Sequence, residues 1–485
     1  MRKARGRTVF STPQAHCRFG VGRADITPPA DAYHRNWGAA LHDAAEGIHR
    51  PLLASVAVFQ PLEGGPECVL VTVDLGWLTT NEVTGVLERT ASLTGADPEH
   101  LALTFSHTHS AINLDLSRTA EPGGQHIRPY LDALPGRIAA AVEGARAAAG
   151  PAFLTFGIGS CTLAVPRDHW DAERGEFTCG PEPFQAGDSA VWVVRAADAR
   201  GRPLAHLVNY ACHPTTLAWE NRLISPDYIG AMREVVEKAT DVPCLFLQGP
   251  CGDLGPRDGF VGDVAVADRN GRQLGYAALS AIESLPPPGT RMRYTGALVS
   301  GATLGLWEHE PLPAAELARA QVVRTAQLRL ELPCRPSRAR GELEERRAEW
   351  QRREETARAS GRQDEVRECC ARVERLRRAV RRLEERPASG RADYRVQVWQ
   401  FGQAVMVTLG GEPYNWLQRA LRQRFPGLPI LIGEVTNLTV SYILPAPLCG
   451  TGRYQDECST LEAGALETIA DAITAQLRAW GLGAH

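Results

Sequence analysis

The 485-residue chain has no apolar run approaching the ~20 residues that a membrane-spanning helix needs. It has no strong charge of either sign: the formal net charge is −3, so no global field favours nucleic acid. The N-terminus, Met1 to Arg7, is basic, but no apolar h-region follows, so no secretory signal is read there. None of the twelve cysteines forms a Cys-x-x-Cys pair, which argues against a structural zinc ribbon. Several (Cys68, Cys212, Cys244) lie within apolar strands, as small buried hydrophobes do. A cytoplasmic protein with reduced thiols is the expectation. No internal repeat is visible. The hydrophobic content of 44% and charged content of 22% are those of an ordinary soluble globular chain, long enough to bury a large core.

Present instead are short apolar runs that end in chemistry. The run Leu101–Phe105 reads as a buried strand and is followed by Ser106-His107-Thr108-His109-Ser110. Side chains at i and i+2 of extended chain share a face, so two imidazoles arrive together at a strand end. That pattern suits a metal ligand beside a proton carrier. A second run, Leu204 to Cys212, delivers His213, and a third, Val405 to Leu409, ends in Gly410-Gly411-Glu412. A catalytic zinc site needs such a set of His, His and Glu. Asp74, Asp227 and Asp253 sit at strand or turn ends, where one of them would orient a ligand imidazole or simply cap a turn.

Between residue 18 and about 300, strands alternate with helices: strands near 69–73, 101–105, 152–165, 190–196, 204–212 and 243–247, helices over 81–93, 127–149 and 229–239. From Pro311 to Arg386 the composition turns to Arg, Glu and Ala. Val366, Cys369, Val373, Leu376, Val380 and Leu383 alternate by three and four, an a/d seam on a charged helix. Ser360-Gly361 breaks the pattern, which predicts two helices folded back on each other. The fold class expected is therefore α/β: a mixed β-sheet core with flanking helices and an inserted antiparallel helical hairpin. The expected division is a first core part over 18–310, the hairpin over 311–390 and a second core part over 391–485. Glu alternates with Arg along the hairpin, so it reads as a solvated scaffold with internal ion pairs, offering a contact for homo-oligomers.

Several segments, in order, resemble the neutral/alkaline non-lysosomal ceramidase family. They are Gly20-Val21-Gly22-Arg23-Ala24-Asp25-Ile26-Thr27-Pro28-Pro29, His107-Thr108-His109-Ser110, Asn209 to Pro214, Gly249-Pro250-Cys251-Gly252-Asp253, Gly410 to Pro413, and Ser441-Tyr442-Ile443-Leu444-Pro445 with Tyr454. The resemblance covers that family's catalytic domain. It implies a zinc amidase with His107, His213, Glu412 and Tyr442 as metal ligands. It places His109, Arg167 and Tyr454 beside the metal as catalytic residues, handling the substrate carbonyl and the proton transfers. One position departs: where the family has a serine nucleophile after the Gly-Asp turn, this chain has Gly255 in Gly252-Asp253-Leu254-Gly255-Pro256. A covalent serine route therefore does not carry over, and Gly255 is expected to serve close packing. The leading expectation is a Zn2+-dependent hydrolase that cleaves an amide, with an ester as the lesser case, in a small soluble metabolite by metal-activated water, without stable membrane association. The alternatives are ceramidase activity on N-acyl-sphingosine and a non-catalytic scaffold homologue.

Overall fold

The computed structural model describes residues 8–483 apart from 183, 337–338 and 439. The basic stretch Met1 to Arg7 lies outside the described residues. An eight-stranded sheet forms the body, in the order Cys244–Gln248, Pro203–Tyr210, Ala190–Ala197, Gly150–Ser160, Gln14–Asp25, Leu53–Gln60, Cys68–Val73 and Leu101–Phe105. Only the outermost pair at each edge is parallel, so the sheet is mixed. A four-stranded sheet, Val323–Pro333, Arg391–Phe401, Ala404–Leu409 and Ile430–Gly433, packs against it.

The strands alternate in the expected two-residue period, and this sorts their side chains into layers. Phe19, Ala57, Phe59, Leu70, Leu154 and Leu207 point inward to meet Trp399, Phe401, Met406 and Leu431 of the second sheet. The intervening Val56, Val58, Val69, Val71 and Val73 point outward, against the helix Ile127–Ala147. At the other half, Val191, Val193 and Val208 pack against the helices Tyr228–Thr240 and Val264–Glu283. The outer face of the second sheet is covered by Leu417, Leu421, Ile469 and Ile473 from the helices Trp416–Arg424 and Ala465–Ala479. The result is two sheets face to face, with helices outside both.

This layering brings the two edges of the large sheet together. The segment after Ile430–Gly433 runs between them. Its Glu434 N–H donates to Gln248 O at one edge (3.0 Å), and Val435 O accepts from Phe105 N–H at the other (3.2 Å). Strand ends that are far apart in the sheet order thus become neighbours.

The hairpin is shorter than the composition predicts. Val323–Pro333 is a strand that pairs along its whole length with Arg391–Phe401, so residues 311–333 belong partly to the second sheet. The helices span Arg340–Ala359 and Gln363–Glu384, and Gly361 has φ 67° in the turn between them. Val366, Cys369, Leu376 and Val380 are buried along the seam, with Val373 and Leu383 half-buried. The hairpin is not merely a solvated scaffold. Its second helix lies on the loops beside His109, as described below. Among the described residues, no helix is long and apolar enough to cross a membrane.

Candidate metal centre

His107 leaves its strand with φ 67°, an unusual conformation for a residue with a side chain. Its N–H is held by Leu75 O (3.0 Å), and its ring Nδ1 faces Gly76 O at 2.9 Å. Donation from Nδ1 to that carbonyl leaves the Nε2 lone pair free. His213, after Pro203–Tyr210, is fixed by donation of its N–H to Leu254 O (3.1 Å). The two imidazole rings lie 4.5 Å apart between centroids.

Glu412 and Tyr442 arrive side by side. Glu412–Pro413 and Tyr442–Ile443 form a two-residue parallel ladder in which these two residues are paired. The backbone is tight there. Gly411 has φ 77°, and a Cβ on Gly252 would fall 2.5 Å from Glu412 O, so only glycine fits that approach. Glu412 Oε2 lies 3.4 Å from His107 Nε2 and 4.0 Å from His213 Nε2. Both Glu412 Oε2 and His107 Nε2 are buried without a hydrogen-bond partner. Two unsatisfied lone-pair donors facing one another are costly unless a cation lies between them. The residues fit a divalent metal.

His109 stands beside His213, with 3.0 Å between their Nε2 atoms. His107, His109 and His213 form a compact group whose ligand atoms all lie within 4.8 Å of one another. His107 and His213 are thus shared by two overlapping sets, one completed by Glu412 and the other by His109. Burial first, then the neighbouring His107 and Arg378, holds the His109 imidazole well below the usual histidine range. Burial and then Arg167 do the same to His213. Both rings are neutral at neutral pH, as metal ligation and proton acceptance require. Burial works against the Glu412 carboxylate, but His107, Arg167 and the Tyr442 hydroxyl outweigh it and lower its pKa.

Arg167 is buried. Its Nη2 donates to Gly252 O (2.9 Å) and to the Tyr442 hydroxyl (3.1 Å). The Tyr442 and Tyr454 rings meet edge to face at 5.8 Å. All seven site residues named from the sequence therefore gather in one place.

Of the two roles open to the strand-end and turn-end aspartates, the structure shows no imidazole-orienting one: among the described residues, Asp74, Asp227 and Asp253 hydrogen-bond elsewhere, and Asp227 caps the helix Tyr228–Thr240. Asp74 pairs with Arg233 (2.8 Å), Asp227 accepts from the N–H of Leu217 and Tyr228, and Asp253 accepts from Asn415 N–H. The groups behind the imidazoles are Gly76 O and Cys251, whose Sγ lies 3.6 Å from His213 Nδ1 and donates to Glu434 Oε1 at 2.8 Å. Cys251 lies within a motif already singled out in the sequence, but nothing in its spacing marked it. Gly255 needs no glycine. A Cβ there would meet nothing closer than Arg167 Cδ at 3.5 Å, an ordinary contact.

The aromatic walls were not legible. Trp37 and Trp77 flank His109 at 5.3 and 5.4 Å, and Trp37 meets Phe260 at 5.7 Å and Trp219 at 6.2 Å. All four are partly exposed and line the approach.

The family model described as neutral/alkaline non-lysosomal ceramidase, N-terminal, matches residues 17–244. A neutral ceramidase of Pseudomonas aeruginosa is 27% identical over 262 residues, which is 49% of this chain but only 37% of that protein. The match thus spans little more than a third of the relative's length. The crystal structure of neutral ceramidase from Pseudomonas aeruginosa superposes with a TM-score of 0.64 at 15% identity, covering 98% of this chain and 76% of that one. A ceramidase complexed with C2 gives a TM-score of 0.63 at 16% identity, with the same coverage. The ceramidase-like fold therefore extends over nearly the whole chain, including the residues beyond 244 that supply Glu412, Tyr442 and Tyr454.

Proposed function

We propose that the protein is a metal-dependent, ceramidase-like hydrolase of N-acyl amides, with zinc the cation that suits a His, His, Glu and Tyr donor set. The observation that carries this reading is the unpartnered pair His107 Nε2 and Glu412 Oε2 beside His213. A divalent cation held there polarises a carbonyl and lowers the pKa of a bound water toward neutrality.

The chain's own groups then divide the work. His107, His213, Glu412 and Tyr442 hold the cation. Arg167 keeps the Tyr442 oxygen in place and supplies positive charge beside the carbonyl. Tyr454 offers a hydroxyl to the developing oxyanion. His109, neutral and at the open side of the group, takes a proton from the attacking water and hands it to the leaving nitrogen. The balance is that of hydrolysis: the C–N bond breaks, the carbonyl carbon gains the water oxygen, and the products are a carboxylate and an amine. No serine is needed at position 255.

The family match favours an N-acyl chain of the kind found in ceramide over an unrelated small metabolite. The test is metal analysis of the purified protein together with hydrolysis of N-lauroyl amides in labelled water. One bound divalent ion, with label in the released laurate, supports the reading. A protein that binds no divalent metal and cleaves none of the amides overturns it.

A further inference from the structure

The hairpin's second helix packs on the loop that carries Trp37, which flanks His109. Its Ala371 and Glu374 pack against Gly38, one residue after Trp37. One turn further on, Arg378 lies over Trp77. Its Nε donates to Glu374 Oε1 (2.8 Å), its Nη2 donates to Asn36 O (2.5 Å), and its Cζ lies 5.6 Å from the centre of the Trp77 ring. Trp77 in turn lies 5.4 Å from His109. The Arg378 side chain is 23% exposed, and its Nη1 finds no acceptor among the described residues.

The charges beside it are shared among several partners rather than paired one to one. Glu374 is shared by Arg118 (2.6 Å), Arg377 (2.9 Å) and Arg378 (2.8 Å). Asp115 is shared by Arg377 (2.6 Å) and Arg381 (3.4 Å). Four guanidiniums thus share two buried carboxylates at close range, with Glu121 and Glu385 as looser partners at 3.7 and 3.9 Å. The positive field reaches the site, where Arg378 acts on both His109 and Tyr454. The wall made by Trp37, Trp219 and Phe260 is aromatic. Trp37 and Trp77 thus flank His109, and the Arg378 guanidinium lies over Trp77.

We infer that Arg378 is an anion subsite for the amine half of the substrate, and that the preferred substrates are N-acyl amino acids, whose α-carboxylate lies two bonds from the amide nitrogen. This rests on the amide-hydrolase reading. His109 serves the leaving nitrogen in that reading, so a group on the nitrogen side lies against Arg378, and the free Nη1 completes a charged hydrogen bond to it. The acyl chain takes the aromatic wall.

The test compares N-lauroylglycine, N-lauroylethanolamine and N-lauroylsphingosine, which share one acyl group, on the full-length metal-loaded protein and its Arg378→Gln and Arg378→Lys variants. The expected result is preference for N-lauroylglycine by kcat/KM. In Arg378→Gln its KM should rise by about 10- to 100-fold, the worth of one charged hydrogen bond, with kcat little changed. The ethanolamide should be unaffected, and Arg378→Lys should retain part of the preference. In parallel, N-lauroylglycine is titrated calorimetrically into metal-stripped protein, where no turnover occurs. Binding should weaken by the same factor in Arg378→Gln. Equal KM changes on charged and neutral amides, or a wild-type preference for the sphingosine amide, overturn the subsite. If no amide is cleaved, the hydrolase reading fails, and calorimetry alone decides the subsite: binding that needs both the carboxylate and Arg378 upholds it, and binding indifferent to either overturns it. If Arg378→Gln does not fold, as judged by circular dichroism, the Arg378→Lys profile decides. A partial loss of preference for N-lauroylglycine, with the ethanolamide unaffected, then supports the subsite, and unchanged discrimination or an equal loss on both overturns it.

Discussion

Glu374 of the hairpin accepts a hydrogen bond from Arg118 of the body at 2.6 Å, across 256 residues of sequence. The carboxylate is buried, which by itself would raise its pKa, but Arg378, Arg377 and Arg118 together drive it well below the usual glutamate range. Its folded pKa is therefore lower than its unfolded one, and the stabilisation is present above the ordinary glutamate range and lost as pH falls below it.

Glu374→Gln should accordingly lower stability at neutral pH by about 3–5 kcal/mol, because it leaves guanidiniums facing one another without their shared anion. Below about pH 4 the gap between variant and parent should narrow. Urea unfolding at a series of pH values checks both statements. A gap that stays constant down to about pH 2 would show that the charge of Glu374 is not what matters.

His107→Ala and Glu412→Gln should each abolish stoichiometric metal binding, measured by elemental analysis of the dialysed protein. His109→Ala should keep the metal and lower turnover by about 10²- to 10⁴-fold, as loss of one general acid/base does. Loss of metal in His109→Ala, with retention in Glu412→Gln, would assign the third ligand to the three-histidine set instead.

Gly255→Ser should fold with stability within about 1 kcal/mol of the parent, since a Cβ there makes only ordinary contacts. The parent should build no acyl-enzyme during turnover, which intact-protein mass spectrometry under single-turnover conditions detects directly. A covalent adduct on the parent chain would falsify the direct-water route.

Excision of residues 340–386 with a short Gly-Ser bridge should leave the metal in place, because His107, His213, Glu412 and Tyr442 all lie outside the hairpin. The deletion should still weaken substrate binding, since it removes Arg378 and uncovers Trp77. Metal content and KM, read on the same preparation, separate the two effects.

The parts of the fold that follow from local pattern were legible. The strand Leu101–Phe105 is apolar throughout and ends where its composition ends, so His107 and His109 could be placed at a strand terminus. The hairpin seam follows from a period of three and four, which any packed helix pair imposes. The large-sheet order and the meeting of its edges were not legible, because they depend on Glu434 and Val435 bridging two strands more than a hundred residues apart. The limits of the hairpin were misread for a related reason. Val323–Pro333 carries arginine and glutamate on its outward face, so its composition matches the helices that follow, although it is a strand in a sheet. The orienting groups behind the imidazoles escaped because one is a backbone carbonyl, Gly76 O, which no side-chain pattern announces. Arg378 escaped because its helix presents arginines on several faces, and only packing distinguishes the one that reaches Trp77.

The hairpin leaves the second sheet at Pro333 and returns at Arg391, two residues that are direct cross-strand partners. Whatever lies between them closes a loop on a fixed doorway four or five ångströms wide, as in any antiparallel pair. The length, charge and lining of that loop can be rewritten without moving the register of the sheet or the ladder that carries Glu412. The chain is in effect a constant histidine-and-carboxylate centre with an interchangeable front plate. Grafting a different helical pair onto Pro333 and Arg391 is a route to retargeting it that leaves the cation's surroundings alone.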